Sequence, residues 1–171
     1  MTYPPNIRLL ALDLATVTGW AILASGVVTS GAVSFARRPA TQHRPAPHVG
    51  HTHALFEDWL RGQFNGPRFD GVIYEDAGFF KSAAAVQVCV GLRGILLARA
   101  ATAYAMGVPL FTYSPSTVKK HWTGSGNAKK PAMMAETRRR FPDLDLTDSN
   151  EADALALLDL HVYRNYVTLR P

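Results

Sequence analysis

Three carboxylate side chains stand out because the residues around them are apolar. Asp13 ends the apolar run LLALD, Glu75 ends GVIYE, and Asp153 lies among alanines and leucines in EADALALLDL. An ionised carboxylate is costly to bury unless it is paired with a cation or bound to a metal. For each position taken alone, a helix cap or a salt bridge is the alternative explanation.

Taken together, the three carboxylates predict a metal site. If the strands that end at Asp13 and Glu75 are neighbours, and the last helix lays Asp153 against them, the cluster repels itself unless cations occupy it. Oxygen ligands suit Mg²⁺ or Mn²⁺. Two such ions about 4 Å apart are used for in-line phosphodiester hydrolysis. The pattern therefore predicts a metal-dependent nuclease.

Further oxygen donors lie near Asp153. Asn150 precedes it by three positions and shares its helix face, which makes Asn150 the next candidate. Asp148 comes before the helix, where an N-cap is the alternative explanation. Glu151 is rotated away from this face, so we expect it to cap the helix or to face solvent.

A basic segment is followed by an acidic one. Residues 115–141 carry seven lysines and arginines against one acid, Glu136, with Trp122 among them, whereas residues 142–159 carry six acids and no Lys or Arg. Such an arrangement suits a nuclease, because cations hold phosphates while carboxylates hold metals. The basic side chains are Lys119, Lys120, Lys129, Lys130, Arg138, Arg139 and Arg140.

The elements that must position these residues follow from apolar runs and turn signals. Strands are predicted at residues 7–13, 18–23, 31–35, 69–75 and 108–113, the first three as an antiparallel meander with turns at Gly26 and Ser30-Gly31. Helices are predicted at 53–61, 82–105, from Pro115, at 131–141 and at 150–163. Residues 37–53, rich in proline and histidine, are predicted as a solvated loop within a single domain of residues 1–171.

Composition narrows the class of protein. Of the 171 residues, 47% are hydrophobic, which is enough to form a core. The net charge of +5 suits either a polyanionic partner or a basic soluble protein without one. The single cysteine, Cys89, excludes an internal disulfide framework and is expected to be buried. No signal peptide is expected, and polar residues interrupt the apolar stretch 82–106. That stretch is therefore predicted as a core helix of a cytoplasmic protein with no membrane partner.

Four motifs in order resemble the RuvC family of Holliday junction resolvases, within the ribonuclease H-like superfamily. They are ALDLATVTGWAIL, YEDAGFFKSAAAVQVCVGLRGILLA, VPLFTYSPSTVKKHWTGSGNAKKPAM and NEADALALL, and only residues 37–68 lack a counterpart. The resemblance implies an α/β fold of the ribonuclease H-like type. Its five-stranded mixed sheet, with three antiparallel strands and then two parallel ones, would be flanked by helices.

The resemblance also assigns site residues. It places Asp13, Glu75 and Asp153 at metal-binding positions for two Mg²⁺ ions, with Mn²⁺ as a substitute. Bacterial members often have Asp where this chain has Asn150, which leaves open whether Asn150 or Asp148 completes the second metal site. Lys119 and Lys130 match basic positions near the active centre. Further candidates for DNA contact are Lys120, Lys129, Phe79, Phe80 and Lys81, with ordinary loop packing as the alternative for the two phenylalanines.

The expected protein is a homodimer that nicks four-way DNA junctions in pairs. Gly91, Arg93 and Gly94 of the long helix would lie at its interface, with packing inside a monomer as the alternative. A broader branched or flap nuclease and an inactive nucleic-acid-binding module are rival hypotheses that cleavage assays separate. An actin-like or sugar-kinase-like ATPase shares the first motif but needs two similar domains. The sequence leaves a helicase partner open.

Overall fold

Five strands form one mixed sheet. The structure, a computed structural model, describes residues 3–36, 48–76 and 82–167. The sheet has the order β3-β2-β1-β4-β5, antiparallel from β3 to β1 and parallel from β1 to β5. The predicted α/β fold is therefore confirmed. The strands are β1 (Leu9–Asp13), β2 (Val17–Ala24), β3 (Val27–Ser34), β4 (Gly71–Glu75) and β5 (Leu110–Tyr113).

Helices cover both faces of the sheet. The helices are α1 (Gly50–Phe64), α2 (Ala83–Thr102), α3 (Pro115–Thr123), α4 (Lys130–Arg140) and α5 (Ser149–Val162), which continues as a π-helical turn, Tyr163–Val167. Side chains alternate between the two faces of a strand. Accordingly, Leu10 and Leu12 pack in the core beneath α1 and α2, whereas Leu9 and Ala11 pack beneath α5. Helices α3 and α4 pack on the outside of α5.

Local signals explain where several helices begin and end. Ser82 caps α2 by accepting a hydrogen bond from the Ala85 amide, and Ser114 caps α3 in the same way through Thr117. Helix α3 begins with Pro115 and ends at Gly124, whose φ of +83° is left-handed. Asp148 caps α5 through the Asn150 amide. Of these caps, the one at Asp148 matches an alternative that the sequence offered for that residue.

Two boundaries differ from the predicted ones. β3 begins at Val27, so Ser30 and Gly31 lie inside a strand and not in a turn. The turn predicted at Gly26 is confirmed, with Ser25 and Gly26 both at positive φ. Gly31 is tolerated there because the Trp20 ring lies against it, 2.8 Å from where a β-carbon would stand. Helix α1 begins at Gly50, so residues 50–53 are helical, where a loop was predicted.

Some predicted residues lie outside the described part of the chain. They are Phe79, Phe80 and Lys81, together with residues 37–47 of the proline- and histidine-rich segment.

Helix α2 leaves an apolar face exposed in the described part of the chain. It buries Leu92, Leu96 and Ala100, whereas Val86, Val90 and Leu97 are 39%, 56% and 42% exposed. Among the described helices, α2 is long and apolar enough to span a membrane, a property that core helices of water-soluble proteins share. The expectation of a core helix thus holds for one face of α2 only.

Candidate active site

The ends of β1 and β4 place two carboxylates side by side. These strands are parallel neighbours, paired from Leu9 with Gly71 to Leu12 with Tyr74, so Asp13 and Glu75 are the next residues along. Strand alternation directs Asp13 to the same face as Ala11, and Glu75 to the same face as Ile73. Both Ala11 and Ile73 pack against α5. The two carboxylates therefore lie on the face that α5 covers.

Helix α5 brings the third carboxylate to this point. Its first turn lies directly on β2 at Gly19, the residue paired with Asp13. A β-carbon on Gly19 would overlap the carbonyl group of Asn150 and stand 2.8 Å from the Glu151 amide nitrogen. The absence of a side chain at Gly19 thus allows the helix to sit close to the sheet. Asp153, one turn further along α5, then lies beside Asp13.

The three carboxylates are half-buried and repel one another. Burial first, and then the charges of Glu75, Asp153 and Asp148, raise the pKa of Asp13 well above its ordinary value. Burial and the Asp153 charge raise the pKa of Glu75 to about 7. Burial, assisted by Asp148, raises the pKa of Asp153 to about 6. Each of these groups therefore resists ionisation until a cation is present.

Two lysines already supply part of that positive charge. Lys119 of α3 lowers the pKa of Glu75 and Asp153, while Lys130, at the start of α4, lowers those of Asp13 and Asp153. The Lys130 ammonium donates a hydrogen bond of 2.9 Å to Ser149 Oγ at the start of α5. The structure thus places both lysines at the carboxylate cluster. Lys129, the cap residue of α4, and Lys120 are exposed.

The donor set suits a hard divalent cation. All of the clustered donors are oxygens, as Mg²⁺ prefers, and Mg²⁺ commonly keeps several waters and takes one or two carboxylates. Within residues 3–36, 48–76 and 82–167, no three His, Cys, Asp or Glu side chains form a ready-made metal cage. Asp13, Glu75 and Asp153 are close enough to shift each other's pKa but do not enclose a site. This arrangement fits an ion that also binds water and substrate oxygens.

The residues around Asp153 have different roles from one another. Asp148 Oδ1 accepts a hydrogen bond of 2.7 Å from the Asn150 amide, so it caps α5 while its charge acts on Asp13 and Asp153. The expectation that Glu151 caps the helix or faces solvent is wrong. Glu151 is buried and accepts a 2.7 Å hydrogen bond from Ser30 Oγ of β3. Because α5 lies across the sheet, even the side of its first turn away from Asp153 is covered.

Part of the basic segment is structural. Trp122 is buried, donates a 3.0 Å hydrogen bond to Thr137 Oγ1, and lies under the Arg140 guanidinium, 4.1 Å from its ring centre. Arg140 also bonds Asp159, and Arg139 pairs with Glu136. The sequence groups these arginines with the lysines, but Arg140 ties α4 to α3 and α5, and the partner of Arg139 lies within α4. Lys119 and Lys130, rather than these arginines, lie at the carboxylates.

Two positioning residues were not singled out from the sequence. Gly19 lies inside the predicted strand 18–23. A glycine inside an apolar strand indicates that another part of the backbone approaches it closely. Ser149 accepts a hydrogen bond from Lys130, and no local pattern of sequence marks this contact with a lysine 19 residues away.

Comparisons with known proteins support the same architecture. No protein-family model matches the chain. Over 75 residues it is 45% identical to the crossover junction endodeoxyribonuclease RuvC of Anaeromyxobacter sp. strain K, covering 42% of this chain and 37% of the relative. Over 170 residues it is 27% identical to the same-named protein of Agrobacterium fabrum, covering 92% of this chain and 90% of the relative.

A solved structure shows the same fold. The Thermus thermophilus RuvC in complex with a Holliday junction superposes with a TM-score of 0.67 at 18% identity, over 93% of this chain and 95% of the other. The stronger sequence matches, such as the Anaeromyxobacter one, span little more than a third of the relative's length. The resemblance to RuvC resolvases, predicted from four motifs, is confirmed.

Proposed function

We propose that this protein is a Mg²⁺-dependent endonuclease that resolves four-way DNA junctions by paired hydrolysis of phosphodiester bonds. One observation carries the proposal. Three half-buried carboxylates and two lysines, contributed by β1, β4, α3, α4 and α5, meet at one end of the sheet of a RuvC-like fold. Structural packing has no use for three mutually repelling carboxylates in one place.

The carboxylates, the lysines and Ser149 would have different roles in the reaction. Asp13, Glu75 and Asp153 would hold two Mg²⁺ ions, with Asp148 and Asn150 as further oxygen donors. Bound there, the ions would supply activation of the attacking water and stabilisation of the leaving 3′ oxygen. Lys119 and Lys130 would bind the non-bridging oxygens of the phosphate that is cut and offset its charge. Ser149 orients Lys130 for this contact.

The proposal includes a homodimer, because paired nicks need two active sites. Val86, Val90, Gly94 and Leu97 follow one face of α2 at helical spacing. Gly94 has open space around its α-carbon, whereas Gly91 is explained within the chain by the His53 ring packed upon it. An exposed apolar stripe with a small residue at its centre suits close contact with a second α2. The dimer would act on DNA in the cytoplasm, with or without a helicase partner.

A panel of labelled DNA substrates tests the proposed function. Four-way, three-way, flap and linear duplex DNA are incubated with the wild-type chain and Mg²⁺, and with an Asp13→Asn variant. We expect symmetric nicks in the four-way junction, no cleavage by the variant, and unchanged binding of the junction by both proteins.

Other patterns would point to the rival functions. Equal cutting of flaps and three-way junctions indicates a broader branched-DNA nuclease. Binding without cleavage in Mg²⁺ or Mn²⁺ indicates an inactive binding module. Undiminished cutting by Asp13→Asn removes Asp13 from the site.

A further inference from the structure

Arg93 of α2 contacts both residues that flank Glu75 in the chain. Its Nη1 donates a hydrogen bond of 2.9 Å to Oδ1 of Asp76, the residue after Glu75. Its guanidinium also lies over the ring of Tyr74, the residue before Glu75, 5.3 Å from the ring centre. A cation at this distance is attracted to an aromatic ring. The Arg93 cluster, formed by Arg93, Tyr74 and Asp76, therefore includes both chain neighbours of a candidate metal ligand.

The Arg93 cluster lies on the face of the sheet opposite the carboxylates. Side chains alternate along β4, so Glu75 projects towards α5, whereas Tyr74 projects towards α1 and α2. Tyr74 is buried in the core beneath these two helices. Arg93 approaches the end of β4 from α2, on that same side. It can therefore affect Glu75 through the backbone of β4, without being a metal ligand itself.

The end of β4 has lost one of its two neighbouring strands. The pairing of β1 with β4 ends at Leu12 with Tyr74, so Glu75 lies one residue beyond it. On the other side, Glu75 is paired with Tyr113 of β5, and the Asp76 amide donates a 2.9 Å hydrogen bond to the Tyr113 carbonyl oxygen. At this point β5 supports β4 from one edge and Arg93 supports it from α2.

The contact between Arg93 and Asp76 contributes little to the stability of the fold. The two side chains are 45% and 50% exposed, and exposed ion pairs add little to the free energy of unfolding. A small displacement of a catalytic group nevertheless has a large effect on rate. The contact is therefore better suited to setting the position of the strand end than to stabilising the protein.

We propose that Arg93 is a positioning residue, which holds the end of β4 so that the Glu75 carboxylate faces Asp13 and Asp153. The proposal rests on the proposed function for the role of Glu75 as a metal ligand. For an exposed arginine at this edge of the sheet, direct contact with a DNA phosphate is the alternative.

Two substitutions of opposite charge separate positioning from an effect of charge. Arg93→Gln removes a positive charge and Asp76→Asn removes a negative one, yet both break the same contact. Single-turnover cleavage is measured at saturating junction and at Mg²⁺ below half-saturation. Each variant should be slower than the wild type by about fivefold, the upper end of what an exposed ion pair contributes. The double variant should be no slower than Arg93→Gln, because the contact is already lost.

Two further measurements do not depend on cleavage. Binding of the junction in EDTA should keep its affinity and salt slope in both single variants, since no phosphate contact is lost. The Mg²⁺ concentration that gives half of the maximal rise in Tm should increase about fivefold in both, because Glu75 is held less well in position for the ion.

A conservative variant and a matched control complete the set. Arg93→Lys keeps a cation that can reach Asp76, so its cleavage rate and Mg²⁺ midpoint should lie within about twofold of the wild type. Arg61→Gln is the control, because Arg61 forms an exposed ion pair with Asp58 inside α1. It lies in the last turn of α1, before the chain enters the start of β4, and its loss should leave both quantities unchanged.

Several results would overturn the positioning role. They are opposite effects of Arg93→Gln and Asp76→Asn on the rate, additive losses in the double variant, and a loss confined to junction binding. Slower cleavage accompanied by a smaller mass in light scattering would instead assign Arg93 to the α2 interface.

The wild type separates this proposal from the proposed function. If it binds Mg²⁺ but cuts no DNA, the nuclease is contradicted, and the shift of the Mg²⁺ midpoint in the two variants still supports or overturns the role of Arg93. If it cuts the junction and both variants match it in rate and midpoint, the positioning role alone fails. If it neither cuts DNA nor responds to Mg²⁺, both proposals fail.

Discussion

At the scale of single residues, the three clustered carboxylates repel one another, and a bound metal ion would reduce this repulsion. Replacing Asp13 with Asn removes a group that ionises only at a cost beside Glu75 and Asp153, so we expect the metal-free protein to become more stable. A gain of about 1 kcal/mol corresponds to about 2–4 °C in Tm for a chain of this size. The same variant should lose the increase in Tm that Mg²⁺ gives the wild type.

Thermal unfolding is measured in metal-free buffer and at Mg²⁺ concentrations about 10-fold apart. The first condition gives the change in stability, and the series gives the increase in Tm with Mg²⁺. Asp143→Asn is the matched control, since Asp143 is an exposed acid outside the cluster. A metal-free Asp13→Asn protein less stable than the wild type would show that Asp13 has a stabilising partner instead.

The raised pKa values also predict a dependence of stability on pH. Glu75 has a pKa of about 7 in the folded protein, above its ordinary value of 4.5, so between these values the folded state holds more protons than the unfolded state. The free energy of unfolding attributable to Glu75 therefore falls as pH rises through this window. In metal-free buffer, Glu75→Gln should gain stability relative to the wild type, and the gain should grow from pH 4.5 to pH 7.5.

Denaturant titrations at several pH values give this difference directly. A gain that is constant across the window, or that shrinks with rising pH, would contradict the repulsion between Glu75 and its neighbours.

At the scale of elements, the contact between α5 and β2 determines where Asp153 lies. A β-carbon at position 19 has no room, because the neighbouring atoms are backbone atoms of Asn150 and Glu151, which cannot rotate away. We expect Gly19→Ala to push the start of α5 off the sheet. A displacement of about 1 Å at a catalytic group costs about 100-fold in rate, and the overpacking costs about 1–3 kcal/mol in stability.

The kinetic test compares kcat and KM for junction cleavage at a temperature where the variant is folded. The loss should fall on kcat, because the lysines that are proposed to bind DNA stay on α3 and α4. Gly62→Ala is the control: Gly62 lies in α1 with open space around it, and alanine there should be neutral or stabilising. Full activity of Gly19→Ala would show that α5 does not need this close approach.

At the scale of the whole molecule, the exposed face of α2 should be covered by a second copy. Val90 is 56% exposed at the centre of the stripe. A charge there would be desolvated in a dimer without a partner, so Val90→Glu should convert the protein to a monomer of about 18.7 kDa. Light scattering after size-exclusion chromatography measures the mass.

Val27→Glu is the control, because Val27 is 63% exposed on the hairpin between β2 and β3. A wild-type mass of one chain would overturn the dimer, and a dimeric Val90→Glu variant would move its interface away from α2.

The sequence determined which residues could bind metal and in which elements they lie. Asp13 and Glu75 end strands, Asp153 lies in an apolar helix, and these are local patterns of polarity that a single strand or helix imposes on its own residues. The mixed sheet, with three antiparallel strands and then two parallel ones, and the resemblance to RuvC also followed from motifs in the sequence. The position of one hairpin turn was predicted less well. Gly31 is typical of a turn, and its place inside β3 is explained by the Trp20 ring that lies against it.

Only the tertiary structure decided how these residues are used, because contacts across the fold leave no local pattern. Glu151 was expected at the surface, yet Ser30, 121 residues away, holds it in a buried contact. Arg140 counted as a phosphate-binding cation until the fold paired it with Asp159 and Trp122. Conversely, the roles of Gly19 and Ser149 depend on the position of α5 across the sheet. The meeting of distant segments, and the burial that follows from it, is what selects among the chemistries that residue types allow.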